Sequence, residues 1–246
     1  MKLPNWTKVN RPPALPENTI DLWLIDLNPA DFHFPNLSYS LYSADELERA
    51  ARFRFDRHRR QYLVGRGRLR SILAAYTGTT PAEIQFNYGD HGKPALASPA
   101  SNVQFNLSNS HEFALVGVSY LEKIGVDLEY RDRHIWDADG LAQSVFTEQE
   151  KAELAKYPAD QRLIPFLSGW TRKEAYLKGI GKGLALPLTG FSVELENRQE
   201  APSISADEWE LASFWCTEDY LSAVAFPASP MRPHLRYFIW DGAIEF

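Results

Sequence analysis

Two stretches of the chain show the same order of patterns: a strand, a helix, a longer helix and then several strands. In the first stretch the strand is "TIDLWLIDL", in which apolar and polar residues alternate, and the longer helix covers residues 57–77 and ends at Gly78. In the second stretch the strand is "IGVDLEY", and the longer helix, "FLSGWTRKEAYLKGIGKG", also ends in glycine. The shorter helices, "SADELERAARFRF" and "FTEQEKAELAKY", each begin with a capping residue before an acidic first turn.

This repeated order predicts an α+β fold made of two similar halves in a pseudo-twofold arrangement. The first half would cover residues 1–123, with a proline-rich arm over the first 18 residues, and the second half would cover residues 124–246. Further strands are predicted in "EIQFNY", "HEFALVGVSYL", "FSVEL", "LASFWCTEDYLSAVAF" and "LRYFIW". We expect a functional site at the cleft between the halves.

Composition excludes several classes of protein. The net charge of the 246 residues is -6, which argues against bulk binding of nucleic acid. Cys216 is the only cysteine, so the chain cannot form an intramolecular disulfide. No apolar run approaches the roughly 20 residues of a membrane span, and the first residues lack the apolar core of a signal peptide. We therefore expect a cytoplasmic protein with no membrane or nucleic-acid partner.

Two carboxylates lie two residues apart in the predicted strand "GVDLEY". Residues at this spacing face the same side of a strand, so Asp127 and Glu129 project together. Adjacent carboxylates repel each other unless a cation or a proton lies between them, and hard oxygen ligands of this kind suit Mg²⁺. A solvated strand face is the alternative, and it is the commoner explanation of this short spacing.

The helix "GWTRKEAYLKGIGKG" places Glu174 and Lys178 four residues apart, on one face. Such a pair is often a simple surface ion pair, although Trp170 on the same side makes a fully solvated face less suitable. The glycines match neither a Walker loop nor a dinucleotide-binding fingerprint. Gly179 or Gly181 is better explained as the end of the helix, since glycine accepts the left-handed conformation.

The stretch "RFRFDRHRRQYLVGRGRLR" holds eight arginines in nineteen residues. On a helix Arg59, Arg66 and Arg70 share a face, which would be either a solvated basic face or a site for an anion such as phosphate. Small polar or charged groups follow in "HGKPAL" and "NLSNS", where polar turns are the alternative explanation.

Taken in order, the segments "HGKPAL", "FNLSNS", "IGVDLEY", "FTEQE" and "WTRKEAYLKGIGKGL" resemble the 4'-phosphopantetheinyl transferases of the larger, pseudo-dimeric monomeric type. The resemblance covers roughly residues 90–190, with a looser match around the arginine-rich helix. It implies transfer of the phosphopantetheine arm of coenzyme A to a serine of a peptide, polyketide or fatty-acid carrier protein. The other product would be adenosine 3',5'-bisphosphate.

The resemblance also implies roles for the acidic residues. Asp127, Glu129 and Glu174 would hold Mg²⁺, or Mn²⁺ in its place, on the pyrophosphate, and Lys178 would lie near phosphate. Glu150 of "FTEQE" matches another acidic position of the family. The attacking serine hydroxyl needs a base, and the sequence leaves Glu174 and Glu150 both as candidates.

Coenzyme A would be held by residues from both predicted halves. Lys93 of "GKP" and Lys178 would contact it, Arg60 would lie near its 3'-phosphate, and Ser108 and Asn109 would add polar groups. An acidic carrier protein would be steered to the site by the arginines. Because one chain supplies both sides of the cleft, we expect a monomer.

The chain departs from the family pattern at Asn109. The family usually has His in the middle of "SHS", where this chain has "SNS", and asparagine cannot supply a positive charge. His111 would share a strand face with Asn109 if the strand includes it, and would then replace part of the missing function. We therefore expect weaker coenzyme A binding than with His at position 109, and a lower KM for coenzyme A in Asn109→His.

Two other functions remain open on the sequence. One is a different Mg²⁺-dependent enzyme acting on a nucleotide or an acyl-coenzyme A. The other is a non-enzymatic module whose arginine helix binds nucleic acid or an acidic protein, with an affinity that falls steeply with salt and does not need Mg²⁺. In that module the carboxylates at 127, 129 and 174 would have no role.

Overall fold

The computed structural model describes residues 3–29, 39–89, 91–132, 138–181, 186–196 and 208–240. The strands are β1 (Thr7–Val9), β2 (Thr19–Asp26), β3 (Gln85–Tyr88), β4 (Pro94–Ser98), β5 (Gln104–Ser110), β6 (Phe113–Ser119), β7 (Gly125–Tyr130), β8 (Trp209–Trp215), β9 (Tyr220–Pro227) and β10 (His234–Trp240). The helices are α1 (Ala44–Ala51), α2 (Asp56–Thr77), α3 (Ala138–Val145), α4 (Glu148–Leu154) and α5 (Leu163–Ile180). These elements confirm the predicted α+β class.

The strands form two main sheets and a hairpin. The first sheet has the order β1-β10-β2-β6-β5, the second has the order β7-β9-β8, and β3 pairs with β4. Most neighbours are antiparallel, but β10 runs parallel to both β1 and β2. The last of the described strands therefore lies inside a sheet whose other strands all come before residue 120. A boundary near residue 124 stays a prediction, and this strand does not follow it.

Strand β2 is buried on both faces, which explains its central place. Ile20, Leu22 and Leu24 pack with apolar residues of the second sheet. Trp23 and Ile25 point to the other face and pack in a cluster with apolar residues of α2. The alternation of side chains along a strand thus gives each face its own core, and one face joins the two sheets.

The two long helices end where the glycines predicted. Gly78 follows α2 with φ 69°, and Gly181 follows α5 with φ 71°. Both are in the left-handed region that favours glycine. Of the two candidates for the end of α5, Gly181 is the cap, whereas Gly179 lies within the helix. Among the described residues no helix is both long and apolar enough to cross a membrane.

The strand predicted at "FSVEL" is wrong. Residues 191–195 are not part of a sheet, because charged side chains take up backbone groups that a neighbouring strand would otherwise bind. Glu150 accepts from the Val193 amide at 2.7 Å. Arg172 donates to the Glu194 carbonyl, and Lys173 donates to the Phe191 carbonyl at 2.5 Å. Conversely, β4 and β5 form where the sequence indicated mainly turns.

Candidate active site

A cavity of about 670 Å³ lies where β5, β7 and α5 meet. Three carboxylates and a lysine that the sequence singled out face it together, namely Asp127 and Glu129 from β7 with Glu174 and Lys178 from α5. The other lining residues are Ser108, Asn109, Ser110, His111, Leu128, Tyr130 and Trp170. The cleft thus brings together residues far apart in the chain.

Two glycines allow β7 and α5 to approach closely. A Cβ atom on Gly125 would overlap the carbonyl oxygen of Ala175 and the backbone nitrogen of Gly179. A Cβ atom on Gly179 would lie 2.6 Å from the indole of Trp209. With no side chains at these positions, the strand lies directly on the helix. Asp127 is two residues beyond Gly125 on the strand, and Lys178 precedes Gly179 on the helix, so the contact places the two charges together.

Asp127 is buried, with 3% of its surface exposed, and one of its oxygens is well bonded. Lys178 Nζ lies 2.6 Å from Asp127 Oδ1 and 2.8 Å from Ser108 Oγ, and Ser108 Oγ donates to the same Asp127 oxygen at 2.9 Å. The second oxygen, Oδ2, is buried without a hydrogen-bond partner among the described residues. An unsatisfied buried carboxylate oxygen is costly, so it indicates a place for a further ligand.

Glu129 lies next along the same strand face and is also buried. The Trp170 indole Nε1 donates to Glu129 Oε1 at 2.8 Å, and Ser110 Oγ donates to Oε2 at 3.3 Å. Trp170 therefore holds a carboxylate of the cavity as well as packing on the helix. Polar side chains at every second residue of β5 form hydrogen bonds to β7. Besides Ser108 and Ser110, Asn106 accepts from the Val126 amide at 2.8 Å.

The donor atoms fit a hard divalent cation. Asp127, Glu129 and Glu174 offer carboxylate oxygens to one cavity, and Asp127 Oδ2 has no other partner among the described residues. In the part of the chain that the structure describes, no three His, Cys, Asp or Glu side chains are already grouped to hold a metal ion. As the site stands, Lys178 neutralises Asp127.

Glu150 does not lie with these carboxylates. Its side chain is 1% exposed, and it is ion-paired with Lys173 at 2.9 Å. One oxygen accepts from the Thr147 amide and the other accepts from the Val193 amide, each at 2.7 Å. Both oxygens are therefore used in holding α4, α5 and residues 191–195 together. The structure places Glu150 in the interior, away from the lining of the cavity.

A second cavity, of about 570 Å³, lies between α2 and the β5–β6 hairpin. Its cationic and polar lining includes Arg49, Arg57, His58, Gln61, Tyr62, Arg66, Tyr88, Asn109 and His111. Arg60, which the sequence favoured for a 3'-phosphate, does not line it, because its guanidinium donates to the Pro29 carbonyl. Arg49 and Arg57 were not singled out.

Of the two alternatives for the basic face of α2, the solvated face is wrong for Arg66 and Arg70, and Arg66 lines the 570 Å³ cavity. Arg66 and Arg70 are buried and paired with Glu46 of α1, at 3.2 Å and 2.8 Å. Arg59 lies near Asp56 on its own helix, at 3.6 Å. The arginine-rich sequence does not show which arginines are paired, because their partner Glu46 lies on another helix.

Lys93 lies at a third cavity, of about 230 Å³, whose lining it shares with Glu174 and Lys178. Its ammonium donates to the Ile124 carbonyl at 3.1 Å and to the Gly179 carbonyl at 3.0 Å. Burial, with a smaller effect of nearby Lys123, lowers the pKa of Lys93 to about 8. Lys93 thus joins the loop before β4 to the junction of β7 and α5.

The strand β5 ends at Ser110, one residue before His111. His111 has φ 51° and lies in the turn to β6, so it does not share a strand face with Asn109. Both residues nevertheless line the cavities of about 570 Å³ and about 670 Å³. The His111 ring stacks on Tyr130 of β7, with 4.9 Å between centroids and 11° between planes.

Two models of known protein families match most of this chain. A model described as the 4'-phosphopantetheinyl transferase superfamily matches residues 123–225, and one described as 4'-phosphopantetheinyl transferase, N-terminal, matches residues 28–120. Both halves of the chain, including the β7 carboxylates and α5, thus match transferase models.

Individual relatives extend the match. The 4'-phosphopantetheinyl transferase HetI of Nostoc sp. is 36% identical over 236 residues, which are 94% of this chain and 98% of HetI. The 4'-phosphopantetheinyl transferase ffp of Bacillus subtilis is 32% identical over 63% of this chain and 67% of its own. A holo-(acyl-carrier-protein) synthase from Bacillus anthracis, crystallised in complex with CoA (3',5'-ADP), has 22% identity and a TM-score of 0.37, over 44% of this chain and 96% of its own.

The protein is therefore an enzyme of the transferase class. It belongs to the 4'-phosphopantetheinyl transferase family. The alternative of a non-enzymatic basic helix is set aside by this membership and by the burial of Arg66 and Arg70.

Proposed function

We propose that the protein transfers the 4'-phosphopantetheine arm of coenzyme A to a serine of an apo carrier protein and releases adenosine 3',5'-bisphosphate. The observation that carries the proposal is the meeting of Asp127, Glu129, Glu174 and Lys178 at one cavity, in a chain of this family. Carboxylates and a cation at one cavity suit the cleavage of a pyrophosphate, because a bound metal ion and a lysine can neutralise the charge on its oxygens.

In the proposed reaction the serine oxygen forms a bond to the β-phosphorus of coenzyme A. The bond from that phosphorus to the bridging oxygen breaks, and the electron pair leaves with adenosine 3',5'-bisphosphate. The serine proton passes to a base, for which we propose Glu174, because both oxygens of Glu150 already accept backbone hydrogen bonds. Glu174 lines the cavity.

Asp127, Glu129 and Glu174 would hold Mg²⁺, or Mn²⁺ in its place. The bound ion would neutralise charge on the pyrophosphate oxygens. Lys178, which is paired with Asp127 at 2.6 Å, would contact the phosphate. Ser108, which contacts both, keeps the lysine and the aspartate in fixed relative positions.

Intact-protein mass spectrometry tests the transfer. An apo carrier protein incubated with the enzyme, coenzyme A and Mg²⁺ is expected to gain the mass of one phosphopantetheine. Glu174→Gln should reduce the rate by about 100-fold or more, because it removes a metal ligand and the proposed base. Glu148→Gln is the matched control, since Glu148 is an exposed residue of α4, and it should leave the rate unchanged.

Absence of a mass gain with peptide, polyketide and fatty-acid carrier proteins would contradict the proposal. A gain that survives treatment with EDTA would contradict the metal requirement. We expect EDTA to abolish transfer and added Mg²⁺ or Mn²⁺ to restore it.

The partners follow from the same proposal. An acidic carrier protein would be attracted by exposed arginines beside the 570 Å³ cavity, such as Arg49 and Arg57. We propose a cytoplasmic monomer, since β5, β7, α5 and the turn at His111, all of one chain, line the 670 Å³ cavity together. The KM for the carrier protein should then rise with salt concentration.

A further inference from the structure

Asn109 and His111 are the two residues that line both larger cavities. On one side lies the 570 Å³ cavity with its arginines, and on the other lies the 670 Å³ cavity with its carboxylates. Neither side chain has a hydrogen-bond partner within the described part of the chain. A ligand that occupies both cavities passes over these two side chains, and it meets polar groups that the protein itself does not satisfy there.

The position of His111 is fixed from several elements. The Gln61 side chain of α2 donates to the His111 carbonyl at 3.1 Å. The amide of the next residue, Glu112, donates to the Tyr220 hydroxyl of β9 at 3.2 Å. The imidazole itself lies flat against the Tyr130 ring of β7. The turn is therefore held between the two halves, and the ring is presented in one orientation with its nitrogens at the edge.

The charges around this turn favour an anion on one side only. The exposed Arg49 and Arg57 line the 570 Å³ cavity, whereas Arg66 in its lining is already paired with Glu46. The carboxylate cavity holds Asp127, Glu129 and Glu174 against the single ammonium of Lys178. The neighbouring Glu112 and the phenols of Tyr130 and Tyr220 add no positive charge. A phosphate group that lies between the cavities therefore needs a cation at their boundary. Of the two described residues that line both cavities, Asn109 and His111, only His111 can carry a positive charge.

We propose that His111 is a phosphate-binding residue for coenzyme A, and that its imidazolium supplies the charge that Asn109 lacks. This inference rests on the proposed use of coenzyme A. Asn109 would donate its amide to the same ligand, while His111 adds a charge-assisted hydrogen bond, which is the stronger kind. The imidazole thus comes from the hairpin turn, two residues after the position where the family usually has histidine.

Isothermal titration calorimetry with adenosine 3',5'-bisphosphate tests this directly. Every variant is measured at the same pH, about 6. His111→Phe keeps a ring that can stack on Tyr130 but removes the charge, and we expect its Kd to rise about tenfold. His111→Arg keeps a flat cation, and its Kd should stay within about threefold of the wild-type value.

Two further variants separate charge from structure. Asn109→His combined with His111→Phe should recover most of the lost affinity, because the cation returns beside the original position. His234→Phe, at an exposed residue of β10 that lines none of the three cavities of the site, is the matched control and should bind as the wild type does. Thermal unfolding followed by circular dichroism verifies that every variant is folded.

An unchanged Kd in His111→Phe would overturn the inference. Equal loss in His111→Phe and His111→Arg would also overturn it, since it would show that shape and not charge matters at this position. Wild-type protein that fails to bind the bisphosphate would do the same. If the wild type binds it and His111→Phe weakens binding, but no carrier protein is modified, the proposed transfer fails while the role of His111 stands.

Discussion

Lys93 illustrates how a single residue is tuned by its surroundings. Its ammonium lies between two carbonyls, those of Ile124 and Gly179, and its surroundings lower its pKa to about 8. A lysine is charged below its pKa and neutral above it. Lys93 therefore loses its charge a little above neutral pH, whereas an exposed lysine would keep it until about pH 10.

We expect the KM for coenzyme A to rise as pH increases through about 8, the pKa of Lys93. The reason is that Lys93, proposed to help hold coenzyme A, becomes neutral there and attracts the phosphates less. Lys93→Arg should remove this rise, because arginine stays protonated throughout. Initial rates between about pH 7 and 9 measure it. His91, Glu174 and Lys178 line the same cavity, and an identical rise in Lys93→Arg would contradict the assignment of the rise to Lys93.

At the scale of elements, the contact between β7 and α5 decides the geometry of the site. The strand carries Asp127 and the helix carries Lys178, and the two elements touch at Gly125 and Gly179. A helix and a strand normally stand apart by the thickness of their side chains. Here the missing side chains bring the charged residues within hydrogen-bond distance.

Gly125→Ala should lower the free energy of unfolding by about 3 kcal/mol or more, because the new methyl group would meet backbone atoms that cannot move alone. Any folded fraction should also show a lower transfer rate, since β7 and α5 must separate. Gly190→Ala is the matched control, because its nearest neighbour would be Pro187 at 3.9 Å. Denaturant unfolding measures both, and equal stabilities would contradict the prediction.

At the scale of the whole molecule, β10 joins the end of the sequence to its beginning. It lies between β1 and β2, and Arg236 on it forms two bonds to Asp21 of β2, at 2.6 Å and 2.7 Å. Asp21 is fully buried, and Tyr76 of α2 donates to it as well. The first sheet therefore depends on a strand that is far along the chain from its neighbours β1 and β2.

Arg236→Met should destabilise the protein by about 3 kcal/mol, because it leaves the Asp21 carboxylate buried with its charge unpaired. The double variant Asp21→Asn with Arg236→Met should recover part of that loss, since no buried charge remains. Arg232→Met, which removes a longer and more exposed pair with Glu210, should change stability by at most about 0.5 kcal/mol. Additive effects of the Asp21 and Arg236 substitutions would contradict the coupling.

The sequence by itself determined those features that depend on neighbouring residues. The alternation along β2 and β7, the caps of the helices and the glycine ends of α2 and α5 are local, so they could be read from short stretches. The same is true of the carboxylates at 127 and 129, which share a face because a strand has a period of two.

The tertiary structure decided everything that depends on partners far along the chain. In the folded chain Arg66 and Arg70 are buried and paired with Glu46, and Glu150 is paired with Lys173. The segment "FSVEL", predicted as a strand, is not part of a sheet. Charge and hydrogen-bonding capacity are visible in a sequence, but the group that satisfies them is not. Because burial makes an unpaired charge costly, the location of its partner determines whether a residue stabilises the fold or faces the site.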